Sequence, residues 1–462
     1  MNAYFGKLLV VDLDDESHAI ASLGESLLKT YIGGSGLGAR LLYDCTGGET
    51  DPLSSENVLI FATGPFTGTQ IPSTGRHAVV AKSPLTGIWG ESDVGGRWGM
   101  RLKGSGLDAV MIKGAANRPV TISIEPDRVG IEDAASLWGL DTYALSDTLK
   151  EIHGPHAEIC AIGRAGEHLV PLAALMHDGR HGRAAGRCGL GAVMGAKRLK
   201  AVVVSGRRKA PVADPEELAK HVRHMRGKIR ASSAYLRQYG TTGGLMCLEA
   251  SGDLPVKNFS RGGWADAEKL SGEVLAETYL RGRFACGACP IGCGREVAFR
   301  RGRYAVEQGA GPEYESVAAL GAYCLVDNLA AVCVANDLCN RFGLDTISVG
   351  ATIAFAMEAF EGGLINAGDL GGMALEWGDA DAMIEVIRLI GEGQGIGRLL
   401  GRGVRAAADE LGPKARDFAM HVKGLEFPAH DPRAFFSTAV AYATANRGAC
   451  HLAGLTHALE GT

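Results

Sequence analysis

No stretch of about 18 uncharged apolar residues occurs, because Lys, Asp or Glu interrupts every long apolar run, so a membrane-spanning helix is not expected. The opening MNAYFGKLLVVDLDDE lacks the basic segment, long apolar core and small-residue cleavage site of a secretory leader. Positive charge is also in short supply: the net charge is −5 over 462 residues, with Lys and Arg mostly dispersed singly among acidic residues. No field for nucleic acid is expected from such a chain. Repeats of fixed period and low-complexity tracts are absent, which excludes solenoid and array architectures. These absences point to a cytoplasmic globular protein without membrane or nucleic-acid partners.

At this length two or three domains are expected, since single cores stop growing at roughly 250–300 residues. Apolar residues make up 46% and charged residues 21%, near globular averages, but the 66 glycines are about twice the usual ~7% share. Such an excess points to many tight turns or to backbone lying against a large ligand. The 11 cysteines are expected to be thiols or metal ligands in a reducing compartment, and only Cys286, Cys289 and Cys293 are clustered.

Residues 1–210 read as a β-rich domain: KLLVVDL, NVLIFAT, HAVVAKS, DAVMIKG, VTISIE, ICAIG and KAVVVSG are short β-branched runs bounded by turn residues. Glycine clusters at 32–40, 93–99 and 184–195 are expected to be ligand-facing loops. At Asp214-Pro215 an N-cap and a proline at the first helical position open a helix with Leu218, Val222, Met225 and Ile229 at helical spacing. Residues 211–420 are therefore expected to be a helical domain, with further helices near 315–323, 328–342, 346–360, 380–392 and 396–410. Asp327-Asn328 and Asp345-Thr346 are the expected caps. A third segment, 421–462, carries Asp431-Pro432 as cap and first helical residue, and is too short to be a domain by itself. The fold class expected is α+β, sheets first and helices after.

The chemistry-bearing stretch is CGACPIGCG, a C-x2-C-x3-C run whose glycines permit turns tight enough to aim several thiolates at one point. One reading is half of a zinc site, which requires a second ligand pair, and no C-x2-C or H-x3-H partner is expected for it. The other is three ligands of a [4Fe–4S] cluster with a distant fourth. Gly34-Ser-Gly36-Leu-Gly38 has G-x-G-x-G spacing after a helix-like segment, which is not the dinucleotide fingerprint. Arg40, Arg97, Arg183 and Arg187 accompany the glycine clusters. Guanidinium groups with backbone N–H groups suit phosphate or a heteroaromatic ligand, whereas sheet twist and turns are the plainer use of the same glycines. Glu313 and Glu315 of GPEYE stand at a helix start, either as proton-transfer groups or as dipole partners. His451 follows a helix end, as a proton-transfer imidazole or a structural histidine.

Taken together, YIGGSGLGARLLYD, IPSTGRHAVVAKSPLTG, GGRWGMRLKGSGLDAVMIKG, GRAAGRCGLGAVMGAKRLKAVVVSG, LPVKNFSRG, CGACPIGC, GPEYES, NRFGLDTISVG and NRGACHL resemble, in order along the whole chain, the tungsten-dependent aldehyde ferredoxin oxidoreductase family. The resemblance implies an amino-terminal β domain under two pterin cofactors whose dithiolenes hold tungsten, with helical domains that cover them and carry a [4Fe–4S] cluster. It implies oxidation of an aldehyde to a carboxylic acid, with electrons passing to ferredoxin or another electron-transfer subunit, and a homodimer as candidate assembly. Carried over residue by residue, Arg76 matches the arginine between pterin and cluster. Asp93 and Gly95 match the positions holding pterin and the Mg2+ that links its phosphates, with Asp where the family usually has Asn. Arg183 and Ala184 match the other pterin contact, and Asn340 and Asp345 the pair that binds a pterin ring, with Asn replacing an Asp. Cys286, Cys289 and Cys293 match cluster ligands, and Glu313 and His451 the groups that move protons beside tungsten. Cys324 is either a core thiol or a tungsten-side thiol, as in the benzoyl-CoA reductase branch.

Two alternatives stand beside this reading: a reductase of an aromatic acyl-CoA or acid, and a non-catalytic scaffold subunit. The family's remaining cluster ligand lies in a carboxy-terminal D-x-x-G-L-C motif that this chain does not reach. A truncated last helical domain is therefore expected, as a fragment, with a partner chain supplying the rest, or with an incomplete cluster. Cys333, Cys339 and Cys450 are poor substitutes for that ligand.

Overall fold

The computed structural model describes residues 2–454 and 456–460; Thr462, where the third segment ends, lies outside them. All seven β-branched runs become strands; six supply side chains to two cores at once, and Val120–Ile124 supplies the main core alone. The first sheet is built from Lys7–Asp12 (β1), Ser17–Ser22 (β2), Leu59–Thr63 (β3), His77–Lys82 (β4), Trp89–Val94 (β5) and Ala109–Lys113 (β6), in the order β2-β1-β6-β3-β4-β5. Only β1 and β6 pair in parallel; every other neighbouring pair is antiparallel. Along β3, Leu59 and Phe61 face the main core while Ile60 and Ala62 face a second one, the two-residue period of a strand. The helix Gly34–Cys45 covers that second face with Leu37, Leu41 and Leu42.

The second sheet comprises Val120–Ile124 (β7), Val129–Asp133 (β8), Glu158–Ala161 (β9), Leu175–His177 (β10), Arg183–Ala185 (β11) and Leu199–Val204 (β12), ordered β11-β10-β9-β12-β7-β8. Its outer face is covered by the helix Thr142–His153, which Asp141 caps through the Tyr143 and Ala144 N–H groups. The main core runs from both sheets into the helices Leu329–Phe342, Thr346–Glu361 and Ala380–Glu392. A small antiparallel sheet, Leu280–Phe284 (β13), Gly294–Arg301 (β14) and Tyr304–Ala310 (β15), presents the cysteine loop between β13 and β14. The α+β class expected from the sequence holds. Among the described residues no helix is long and apolar enough to cross a membrane.

Caps behave as their chemistry requires. Asp214, Asn328 and Asp345 each accept two backbone N–H bonds in the first turn of their helices, and Gly343 closes Leu329–Phe342 in the left-handed region at φ 69°. Three expectations need correction. The segment near 315–323 is helical only from Tyr314 to Val317 as an α-helix and continues as a π-turn over Ala318–Ala322. The segment near 396–410 is two helices, Gly397–Leu400 and Val404–Leu411, interrupted at Gly403, whose φ is 87°. Asp431 caps a turn through Arg433 N–H, and the helix begins only at Phe436. Pro215–Ser232 forms as expected, burying only Val222 of its periodic apolar residues, with Met225 44% exposed.

Candidate functional site

The crevice forms where strand ends of the β-rich part meet helix starts of the helical part. Asp93 ends β5, Arg183 and Ala184 sit on the short edge strand β11, Asp345 caps Thr346–Glu361, and Asn340 lies in the last turn of Leu329–Phe342. With Arg76, Gly95, Cys286 and Glu313 they line one cavity of about 210 Å3. Asp93, Ala184, Asp345 and Thr346 also line a second cavity of about 260 Å3, where His451 stands. Residues from opposite ends of the chain are thus brought to one place. Cys289 lies on the other side of the cysteine loop, in an opening of about 360 Å3 shared with Cys286.

Arg183 is the hinge of the arrangement. Its Nη1 donates to Glu313 Oε1 at 2.9 Å, its guanidinium lies over Phe284, and its buried Nε and Nη2 have no hydrogen-bond partner. Burial opposes its charge, but Glu313 and then Cys286 and Cys293 outweigh that, so the group stays protonated. The other Glu313 oxygen accepts from Thr241 Oγ1 at 2.6 Å, which fixes the carboxylate in orientation. Arg187 is similar: Nη2 donates to the Glu426 carbonyl at 2.6 Å, while Nε, 3.3 Å from Asp345 Oδ2, and Nη1 make no hydrogen bond. A buried donor without a partner is costly, so unpaired guanidinium N–H groups at a cavity wall suit an anionic, acceptor-rich ligand.

A cluster of acids and imidazoles that sequence reasoning did not assemble lies around the second cavity. His451 Nε2 is 3.4 Å from Glu315 Oε1, and His430 Nε2 is 3.6 Å from the same oxygen. His430 Nδ1 lies 2.6 Å from Asp253 Oδ2. Burial pushes the His451 pKa down to about 4, so its ring is neutral near pH 7. The carboxylate beside Nε2 favours the tautomer protonated there, leaving the unpartnered Nδ1 as the basic nitrogen.

Asp93, on both cavity walls, has its carboxyl held above the usual range by desolvation and then by Glu91. The three thiols share one short loop, each half-buried, and burial followed by the Glu313 charge pushes Cys293 up to about 11. Among the described residues no group of three or more His, Cys, Asp or Glu side chains converges closely enough to hold a metal ion.

Other expectations separate. Gly38 serves packing, bringing Gly34–Cys45 onto Val80, and Arg40 pairs with Asp44 at the surface, so the first glycine cluster is structural rather than ligand-facing. In the second, Gly96 has φ 92° and an added Cβ would run into the Asp178 carboxylate. A pair with zinc spacing, His177 and His181, was missed in the sequence. The structure splits it, His177 lying edge-on to His77 and Trp98, and His181 stacking on Phe284. Cys324 is fully buried and its thiol donates to the Ala319 and Gly350 carbonyls, the core reading. Cys333 and Cys339 are buried on one helix, and Cys450 lies 2.9 Å from Arg447 Nη2.

Comparison with known proteins supplies first the class, an oxidoreductase. Residues 8–206 match the description "Aldehyde ferredoxin oxidoreductase, N-terminal domain", and residues 218–462 match "Aldehyde ferredoxin oxidoreductase, domains 2 & 3". The chain belongs to the aldehyde ferredoxin oxidoreductase family. It is 40% identical over 457 residues to the tungsten-containing aldehyde ferredoxin oxidoreductase of Pyrococcus furiosus, covering 98% of this chain and 74% of that protein. To the aliphatic sulfonate oxidoreductase, WOR-like subunit, of the same organism it is 34% identical over 477 residues, covering 98% and 75%. A solved structure, the active site complex BamBC of benzoyl coenzyme A reductase with 1,5-dienoyl-CoA, superposes with a TM-score of 0.85 at 26% identity, covering 96% of this chain and 69% of that one.

Proposed function

We propose that this protein is a tungsten-pterin oxidoreductase that oxidises an aldehyde to a carboxylic acid and passes the electrons through a [4Fe–4S] cluster to a ferredoxin-type acceptor. The observation that carries the reading is the pair of buried guanidinium groups, Arg183 and Arg187, with N–H donors unpaired at adjoining cavities. An aldehyde, water and the acceptor balance as RCHO + H2O giving RCOOH, two protons and two electrons. When bound, the metal-pterin group supplies the two-electron-accepting centre and the cluster the outlet. The residues suit such a group: Arg183 and Arg187 would meet its anionic parts, Ala184 would contact a pterin, Asn340 and Asp345 would meet its ring N–H edges, and Asp93 and Gly95 would hold pterin and Mg2+. Arg76 would stand between pterin and cluster, with Cys286, Cys289 and Cys293 as cluster ligands.

Proton handling falls to this chain's own side chains. His451 Nδ1, neutral and unpartnered, would take the proton released as the hydrated aldehyde is oxidised. Glu315 beside Nε2 would stabilise the imidazolium so formed. Glu313, fixed by Arg183 and Thr241, is the second proton-transfer group. The same reading puts the protein in the reducing cytoplasm, with a homodimer as its candidate assembly. The test is aldehyde-dependent viologen reduction by tungsten-loaded protein, where Glu313→Gln and His451→Ala should each lower kcat by roughly 10²–10⁴-fold with the fold intact. Unchanged turnover in both would refute the assignment.

The structural likeness to the benzoyl coenzyme A reductase complex supports a second reading, reduction of an aromatic thioester. The core position of Cys324 speaks against it, since that thiol is committed to main-chain carbonyls. Electron uptake dependent on an aromatic acyl-CoA, with none from aldehydes, would favour it. Cofactor binding without either turnover would leave a scaffold subunit.

A further inference from the structure

We propose that the exposed basic helix Pro215–Ser232 is the docking surface for a small acidic electron-carrier protein, seated over the cysteine loop. The inference rests on the oxidoreductase reading above and adds where the electrons leave. No acidic residue occurs between Glu217 and Glu249, whereas Lys220, Arg223, Arg226, Lys228, Arg230 and Arg237 fall in that interval. The whole chain is acidic, at −5, so this is a local reversal of sign that the average conceals. All six basic side chains are on exposed residues.

Position is the second observation. Arg226, Gly227 and Arg230 form one wall of the opening whose other wall is Cys286, Ala288, Cys289 and Pro290. Arg237, just beyond the helix, donates from Nη1 to the Ile291 carbonyl of the same loop at 2.8 Å. The cationic patch therefore flanks the opening onto which Cys286 and Cys289 face. Met225, 44% exposed on the same helix, provides an apolar contact of the type enriched at interfaces. A polyanion such as nucleic acid would be served by positive charge anywhere on the surface. A carrier protein gains from charge placed around the redox loop, because steering then delivers it in the orientation for transfer.

Electron flow is balanced by the carrier: one electron enters each carrier molecule, so two carriers accept what one aldehyde releases. The experiment uses tungsten-loaded protein carrying Arg226→Glu and Arg230→Glu, neither of which is in the catalytic or cofactor-binding set. Reduction of an acidic ferredoxin and of benzyl viologen are measured in parallel, and ferredoxin binding is measured by biolayer interferometry. At low salt kcat/KM for ferredoxin should fall about 10-fold or more and its affinity likewise, while viologen reduction stays at the wild-type rate; rising salt should weaken the wild type toward the variant. Equal ferredoxin kinetics and affinity in wild type and variant would overturn the proposal. So would loss of binding to heparin or anionic vesicles with ferredoxin unaffected. If wild type reduces neither acceptor, the functional reading fails, and the binding arm still decides the surface.

Discussion

Asp253→Asn removes the carboxylate charge 2.6 Å from His430 Nδ1 while keeping the side chain's shape. Both groups are sheltered, at 2% and 16% side-chain exposure, so water does not replace the contact. A charge-assisted hydrogen bond of this kind contributes about 1.5–3 kcal/mol. Burial pulls the His430 imidazole down, but the bond to Asp253 and the charges of Glu315 and Asp253 outweigh it and raise its pKa. A group raised in the folded state stabilises fully below its unfolded pKa, about 6.5 for histidine, and loses that contribution as pH climbs through the folded value. The substitution should therefore cost about 1.5–3 kcal/mol near pH ~5.5 and about 1 kcal/mol or less near pH ~9, where a neutral hydrogen bond remains. Urea unfolding at the two pH values, with unchanged m-values, reads this difference directly. An equal penalty at both pH values would show that His430 is not the titrating partner and would break the Asp253–His430–Glu315 linkage to His451.

Three further outcomes follow from the fold. Lys103 and Asp108 form an ion pair at 0% and 1% exposure, and Asp108 also accepts from the Phe5 and Gly6 N–H groups; Asp108→Ala should cost about 3–5 kcal/mol in urea unfolding by leaving a buried ammonium uncompensated. Asp214→Ala removes an N-cap worth about 1 kcal/mol from a helix that buries little, so amide exchange should quicken within 215–232 while the global midpoint stays put. Cys289→Ser should abolish the visible absorbance and iron content of the reconstituted protein without unfolding the β-rich part; retention of full iron would remove Cys289 from the ligand set.

Runs such as VLIFAT and AVVV were legible because both faces of their sheets are buried, so almost every residue is apolar. Leu175–His177 and Arg183–Ala185 were not, being three residues each, with Arg183 placed by the crevice and His177 by its contacts with His77 and Trp98 rather than by a period. The π-turn at Ala318–Ala322 reads like an α-helix, since AALGA carries no proline and a single glycine, Gly321, does not distinguish the two. At the site, short motifs pointed to Arg183, Asp345 and Glu313 because their neighbours are informative in sequence. Nothing links Glu315 to His430 except the fold, for no motif spans GPEYE and FPAHDPR. The basic run within 218–248 is concealed in a net charge of −5, and the helical spacing of Met225 carries no sign that its side of the helix stays exposed.

The central claim is tested most directly by adding an aldehyde to tungsten-loaded protein and counting electrons delivered to viologen per carboxylic acid formed. The account predicts two electrons for each acid, and no oxidation of reduced viologen when a benzoyl-CoA-type thioester is supplied in place of the aldehyde. Metal-loaded, folded protein that yields no acid and no reduced viologen would contradict it.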